Sequence, residues 1–373
     1  MNNRQVRLKG LVIKEFLQIW RDPSSLAIAF VLPVFLLLLF GYGVSLDAKH
    51  IPIGWVVDKP TTETAGFTAS FAQSEYFQSR HYGSMKSAKK AMQFRKINAI
   101  IHLRGDFSRQ LFKQNSPAIQ VIINGVDANS ARLTSGYVQG AWNKWITHLA
   151  EVRGIPISKP VIAEHRIWYN SAVLSKDFLV PGLIAVIMTL IGALLTAMVM
   201  AREWERGTLE AMIATPVSML EVLLGKMIPY YLLGMGGMLL SIAMAVFLFE
   251  VPLLGSFWVL LVTGTLFLLV ALGMGLLISV VSKNQFVAGQ TAIIVTFLPA
   301  FILSGFIFDI GSMPSVVQGF TYLVAARYFV TILQTVFLAG NVWAIILPNA
   351  AALLLMAVVF FSLAIKKAPQ RLE

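Results

Sequence analysis

The chain has 373 residues, a mean hydropathy of +0.73 and a formal net charge of +12, with 57% hydrophobic and only 13% charged residues. Soluble proteins carry about 45–50% apolar and about 25% charged residues, so this composition excludes a water-soluble globular protein. The absence of cysteine also excludes a disulfide framework and thiolate metal sites.

The apolar residues are gathered into charge-free runs at 26–46, 178–201, 227–249, 257–281, 286–308 and 343–365, each of 21 to 25 residues. About 20 residues suffice to cross a bilayer as a helix. The expected fold is therefore a polytopic α-helical membrane protein with six transmembrane helices. Residues 1–25 read as a cytoplasmic amphipathic interfacial helix. Arg4, Arg7, Lys14, Gln18 and Arg21 recur on one face, while Leu8, Leu11, Val12, Ile19 and Trp20 lie largely elsewhere, the pattern of a helix lying in the headgroup plane. Asp22-Pro23 ends it, because the residue before proline avoids the helical region. Transmembrane helix 1, at 26–46, is longer than the roughly 7–15 residues of a signal-peptide core and is followed by "SLDAKH". It reads as an uncleaved helix.

Residues 47–176 read as an inserted α/β extracytoplasmic domain. "IPIGWVV", "INAIIHL" and "AIQVIIN" are strand-like. "SMKSAKKAMQFRK", "GDFSRQLFKQ" and a long stretch from Ala128 to about Arg153 are helical. Alternation of this kind implies a mixed or parallel sheet. The domain holds 17 Lys or Arg against eight acidic residues, a basic surface compatible with anionic headgroups or with plain solvation. Its five histidines, 50, 81, 102, 148 and 165, lack metal-ligand spacing.

Residues 177–365 carry transmembrane helices 2–6, with a loop at 202–221 and a further apolar stretch at 309–338. The N-terminus, 202–226, 282–285 and the tail 366–373 together hold twelve Lys or Arg, whereas 250–256 and 309–342 hold only Arg327. By the positive-inside rule the first set is cytoplasmic, both termini included. A seventh crossing through 309–338 would put Lys366, Lys367 and Arg371 outside. That stretch is therefore read as a re-entrant segment buried among the other helices.

One loop departs from the rest. After "MVMA", Arg202, Glu203, Glu205, Arg206 and Glu210 arrive within nine residues. On a helix, Arg202–Glu205, Glu203–Arg206 and Arg206–Glu210 have pairing spacing, each worth about 0.2–0.5 kcal/mol when exposed. Gly207 breaks the helix, and Thr208 can cap another. Ser218 and Glu221 have capping-box spacing. The reading is a short, doubly capped helix outside the membrane. Two roles fit these charges: marking the water boundary, or forming a docking surface. The charges alone fit the boundary marker at least as well; acidic residues contribute little to topology, which weakens that role without excluding it.

No G-x-x-x-x-G-K-[ST], H-E-x-x-H or G-x-S-x-G occurs, and the six charge-free runs offer no proton relay. They do carry Thr189, Thr196, Thr263, Gln290, Thr291 and Ser304, which line a pathway or bond helix to helix.

"AREWERGTLEAMIATPVSMLEVLLGK" resembles the cytoplasmic-loop signature of ABC-2 type transporter permeases. The resemblance extends to the amphipathic N-terminus, "RDPSS…LPV…FGYG" and "LSGFIFDIGSMP…ARYF". It is nearest to bacterial drug-efflux permeases with a large periplasmic domain. One departure is Ala325-Ala326, where members often carry proline. The resemblance implies a permease subunit of an ATP-driven exporter in the bacterial inner membrane, moving amphiphilic or lipid-like compounds. Arg202, Glu203, Glu205, Arg206, Gly207, Thr208 and Glu210 would couple it to separate ABC ATPase subunits. This chain itself would carry no cofactor, ATP and Mg belonging to the ATPase. A second copy or a related permease would complete a homo- or heterodimer. A periplasmic adaptor and membrane lipids are further partners compatible with this assignment; nucleic acid is not. The competing function is a membrane receptor or envelope assembly factor with a ligand-binding ectodomain.

Overall fold

The computed structural model describes residues 3–43, 50–72, 74, 76–111, 119–125, 128–154, 174–208 and 217–367. It comprises two units, 1–45 with 167–373, and 46–166. In the first, helix α1 (Asn3–Trp20) leads to α2 (Pro23–Gly43). Asp22 both ends α1 and starts α2. Its carboxylate accepts from the Ser24 N–H at 3.1 Å and the Ser25 hydroxyl at 2.9 Å, with Pro23 at the first helical position.

The second unit is a four-stranded sheet with helices on both faces. Along the chain run β1 (Ile51–Val57), α3 (Thr62–Ala72), β2 (Phe77–His81), α4 (Met85–Gln93), β3 (Ala99–Leu103), α5 (Phe107–Leu111), β4 (Ile119–Ile123) and α6 (Ala128–Arg153). The strand order is β2-β1-β3-β4. β1 runs parallel to β2 and β3, and β4 closes the edge antiparallel. On one face Trp55 meets Phe67 and Phe71 of α3 edge-on, with Phe107 and Trp145 completing the cluster. On the other, Ala88 and Ala91 of α4 pack on Val56, Ile97 and Ile100. The three strands and three helices read from the sequence are present, and the sheet is mixed. Two elements, α3 and β2, were not signalled. β2 is an edge strand in which only Phe77 is buried, so it has no apolar run.

Five further long apolar helices complete the first unit: α7 (Ser175–Glu205), α8 (Met219–Leu248), α9 (Phe257–Ser282), α10 (Gln285–Leu303) and, last in the chain, the span Trp343–Lys367. With α2 they make six helices able to cross a membrane. α7 is the central one, 94% of its apolar window being buried against 22% for α2 and for α10. It packs most closely on α9. A side chain at Gly275 would overlap the Ala193 carbonyl and the Thr196 hydroxyl. The Thr196 hydroxyl donates to the Leu272 carbonyl at 2.8 Å, and Ser279 accepts from the Ala201 N–H at 2.8 Å while donating to the Ala197 carbonyl. Small residues and hydroxyls thus bring the two backbones together, as helices do where no hydrophobic effect separates them from lipid.

Between α10 and the last span, α11 (Ser315–Thr321) and α12 (Ala325–Leu338) form a broken pair bent by 82°. Such a bend is compatible with the re-entrant segment expected for 309–338 and equally with a broken seventh span. α12 lies inside the bundle, where Phe329 stacks on Phe267 of α9 with centroids 4.1 Å apart. Arg327 sits at the bend rather than mid-helix, its guanidinium bonded to the Thr321 hydroxyl and lying 3.8 Å over the Tyr322 ring. Ala325 opens α12 directly after Val324, a position that needs no N–H partner. The span Trp343–Lys367 is α13.

Candidate functional site

Of the REWER charges, Arg202 and Glu203 point inward while Glu205 and Arg206 are exposed. Glu203, on the last turn of α7, is 4% exposed. Its Oε1 lies 2.6 Å from the Lys226 Nζ of α8, and that ammonium also meets Glu15 Oε1 of α1 at 2.8 Å. Lys14, half-exposed, reaches the same two carboxylates at 3.6 and 3.5 Å. Three elements far apart in sequence are joined by this buried trio. Among the described residues, Glu15 Oε2 and Glu203 Oε2 are buried without a hydrogen-bond partner, and such an acceptor carries a desolvation cost.

Two further pairs flank the trio. Arg202 donates to Asp22 Oδ2 at 2.7 Å, fixing α7 to the cap of α2. Burial pushes the Asp22 carboxyl up, but hydrogen bonds from Ser24, Arg202 and Ser25 outweigh it and hold the group far below the usual carboxylate range. Arg7 of α1 reaches Glu221 of α8 at 3.3 Å. Glu221 also closes the capping box with Ser218, accepting from the Ser218 N–H at 2.8 Å while Ser218 accepts from the Glu221 N–H at 3.3 Å. α1 lies so near α8 that a side chain at Gly225 would overlap Leu11. The turn between α9 and α10 joins the same node. Glu205 accepts from the Gln285 N–H at 3.2 Å, and the Lys283 ammonium lies 4.7 Å from the Trp204 ring centroid.

This corrects two details of the sequence reading. Arg202–Glu205 and Glu203–Arg206 are not among the ion pairs of the described residues; Arg202 and Glu203 pair instead with Asp22, Lys14 and Lys226. The Ser218–Glu221 box starts the membrane-crossing helix α8 itself, not a short loop helix. Residues 209–216, with Glu210, lie outside the described residues. Glu205, Arg206, Gly207 and Thr208 form the exposed tip of the node. Gly207 terminates α7 at φ +66°, a left-handed conformation that side chains disfavour. Beside the tip, a cleft of about 780 Å³ is lined by Lys14, Arg21, Asp22, Arg202, Glu203 and Arg206, among others.

The polar residues of the spans separate into two groups. Thr189 and Thr263 are buried and bond back to the carbonyls of Ala185 and Val259, at 2.8 Å each, and Thr196 bridges α7 to α9 as above. Ser304 is buried and accepts from the Phe306 N–H at 3.3 Å after α10 ends. Gln290 is exposed on α10 and Thr291 half-buried. Lys226, Glu15 and Asp22 were absent from the expected site. Their pairings span 23 residues for Lys226–Glu203, 211 for Lys226–Glu15 and 180 for Arg202–Asp22, and helical spacing of three or four carries no signal at such separations.

Residues 23–366 match the family described as ABC-2 family transporter protein. The chain is 43% identical over 368 residues to an Escherichia coli K12 protein named "Probable multidrug ABC transporter permease YbhS", covering 98% of each. It is 28% identical over 339 residues to "Probable multidrug ABC transporter permease YbhR" of the same strain, covering 89% of this chain and 90% of that one. To that strain's "Inner membrane transport permease YhhJ" it is 25% identical over 270 residues, 71% of each. With the six membrane-length helices, these matches show that the chain belongs to the ABC-2 family of transporter proteins: a multi-pass permease subunit that is not itself an ATPase, carries no cofactor of its own and works with a partner ATPase.

Proposed function

We propose that this chain is the permease half of an ABC exporter that moves amphiphilic, drug-like compounds out across the bacterial inner membrane. Both termini face the cytoplasm and the domain 46–166 faces the periplasm. Its two most similar E. coli relatives above are distinct permeases of a single strain, both named for multidrug transport; this supports pairing with a related, non-identical permease. The six charge-free runs suit an uncharged or amphiphilic cargo and ATP as the energy source. Gln290 and Thr291, on the largely exposed helix α10, are the polar span residues free to face a pathway shared with the second permease. Thr189, Thr196, Thr263 and Ser304 serve packing.

One observation carries the coupling role: the exposed tip Glu205–Thr208 stands on the buried Glu15–Lys226–Glu203 trio. A load placed on that tip by an ATPase reaches α1, α7 and α8 together, and passes to α2 through Arg202 and Asp22. Arg206 is the residue to test, because it is exposed and its reversal leaves the buried pairs intact. Arg206→Glu in the permease–ATPase complex should abolish substrate-stimulated ATP hydrolysis and vesicle transport while membrane insertion stays normal. In the unaltered complex, ATP-driven transport should persist when an uncoupler collapses the proton gradient. Full ATP-driven transport by Arg206→Glu would return the tip to a boundary marker, and loss of transport with the uncoupler at constant ATP would overturn the energy source.

A further inference from the structure

Residues 76–105, all within the domain 46–166, include seven Lys or Arg and two His but no Asp or Glu. The structure concentrates much of this charge on one helix. α4 turns Ala88 and Ala91 to the sheet. Lys86, Lys89, Lys90 and Gln93, at spacings of three and four, are exposed and share the opposite side of the helix. The stripe runs into Phe94, 67% exposed, followed by exposed Arg95 with φ +56° and exposed Lys96. None of these five cations is in an ion pair among the described residues. A merely solvated helix face mixes signs to limit self-repulsion; a one-signed face with an exposed aromatic at its end is built for an anionic surface.

We propose that α4 and the Phe94–Lys96 turn dock on a bilayer surface bearing anionic phospholipid headgroups. Three observations select lipid as the occupant. The stripe is made of lysines, compact charges on flexible stems, which suit a diffuse field better than a fixed carboxylate geometry. Phe94 between the lysine stripe and Arg95 matches the basic-plus-aromatic composition of interfacial segments. The third is proximity along the chain. β1 begins at Ile51, eight residues after α2 ends at Gly43. Asn98, just past Lys96, donates to the Pro52 carbonyl at 2.7 Å, so the turn and the start of β1 share one end of the sheet. This inference stands apart from the direction of transport and from the ATPase contact.

The full chain tests it. Because the chain lacks cysteine, Gln93→Cys can carry a single polarity-sensitive fluorophore, with His148→Cys on α6 as the control position. Both are reconstituted into nanodiscs of phosphatidylcholine, with or without phosphatidylglycerol. The label at 93 should shift to the blue and lose half or more of its acrylamide quenching only when phosphatidylglycerol is present. The control should not respond. The shift should vanish near 1 M salt, where the screening length falls to about 3 Å, and in the variant Lys86→Gln, Lys89→Gln, Lys90→Gln, whose exposed positions leave the fold intact. Equal spectra in both lipids would overturn the proposal. So would a shift that survives the triple substitution, or one produced by added polyglutamate but not by phosphatidylglycerol, which would assign the surface to an acidic protein.

Discussion

The Lys226 ammonium, near the start of α8, stands 2.6 Å from the Glu203 carboxylate at the end of α7, with both side chains about 95% buried. The end of α7 and the start of α8 are thus joined by a buried charge pair. Removing one member of such a pair leaves an uncompensated buried charge and costs about 3–5 kcal/mol. Lys226→Met should therefore lower the unfolding temperature of the purified permease sharply, because Glu15 and Glu203 would then face each other with only half-exposed Lys14 nearby. Adding Glu15→Gln and Glu203→Gln should restore most of the loss, since the stranded charges go with it. A single Lys226→Met variant as stable as the parent would mean that the trio is not formed.

That trio also shows where the sequence stops being legible. The spans could be read because a bilayer imposes a length on every apolar run, and the Ser218–Glu221 box because its two partners are three residues apart. Charge parity and Arg327 suggest a re-entrant segment at 309–338, whereas the 82° bend itself has no signal in the sequence. Arg202 pairs with Asp22, 180 residues away, and Glu203 with Lys14, 189 away, and with Lys226, 23 away in the next span. The same charges invite a local Arg202–Glu205 and Glu203–Arg206 pairing that is not among the ion pairs of the described residues. β2 failed for a different reason. An edge strand with one buried residue has no periodicity to detect.

Asp22 gives a pH prediction. Its carboxyl titrates well below the ordinary range because Ser24, Arg202 and Ser25 favour the ionised form against the opposing effect of burial. A depressed folded value stabilises the protein fully above the unfolded value of about 3.9, and that contribution is lost as pH falls further toward the folded one. Asp22→Asn keeps a capping oxygen but not the ion pair with Arg202. Stability measured from pH 7 downward should be lower in the variant by a near-constant amount until about pH 4, and the two curves should converge in stronger acid. A constant gap throughout would show that the charge of Asp22 is not what Arg202 recognises.

Glycines supply a matched contrast. A methyl group at Gly275 would run into the Ala193 carbonyl and the Thr196 hydroxyl across the α7–α9 seam, whereas one at Gly136 on α6 meets nothing within 4 Å. Gly275→Ala should destabilise by about 1–3 kcal/mol through overpacking. Gly136→Ala should be neutral or stabilising, by up to about 1 kcal/mol, because alanine restricts the unfolded chain more. Thermal melts of the two variants in the same detergent check both signs. A tolerated Gly275→Ala would mean that α7 and α9 are further apart than their hydrogen bonds require.

The number of crossings is settled by one pair of labels. Six long apolar helices bring both termini to the same side, while α11 and α12 counted as a seventh would separate them. Positive charge at Lys366 and Lys367 argues for the even number. So does Arg327, held at the bend by Thr321 and Tyr322 where a straight crossing would carry it into the hydrocarbon. Leu254, 66% exposed between α8 and α9, and Lys367, exposed at the end of α13, are suitable positions in a cysteine-free chain. Gly255 is not, because a side chain there would strike Val336. An impermeant maleimide applied to spheroplasts should label Leu254→Cys and leave Lys367→Cys unlabelled until the membrane is opened. Labelling of both from outside would make the bent pair a full crossing and place the C-terminus opposite the REWER node.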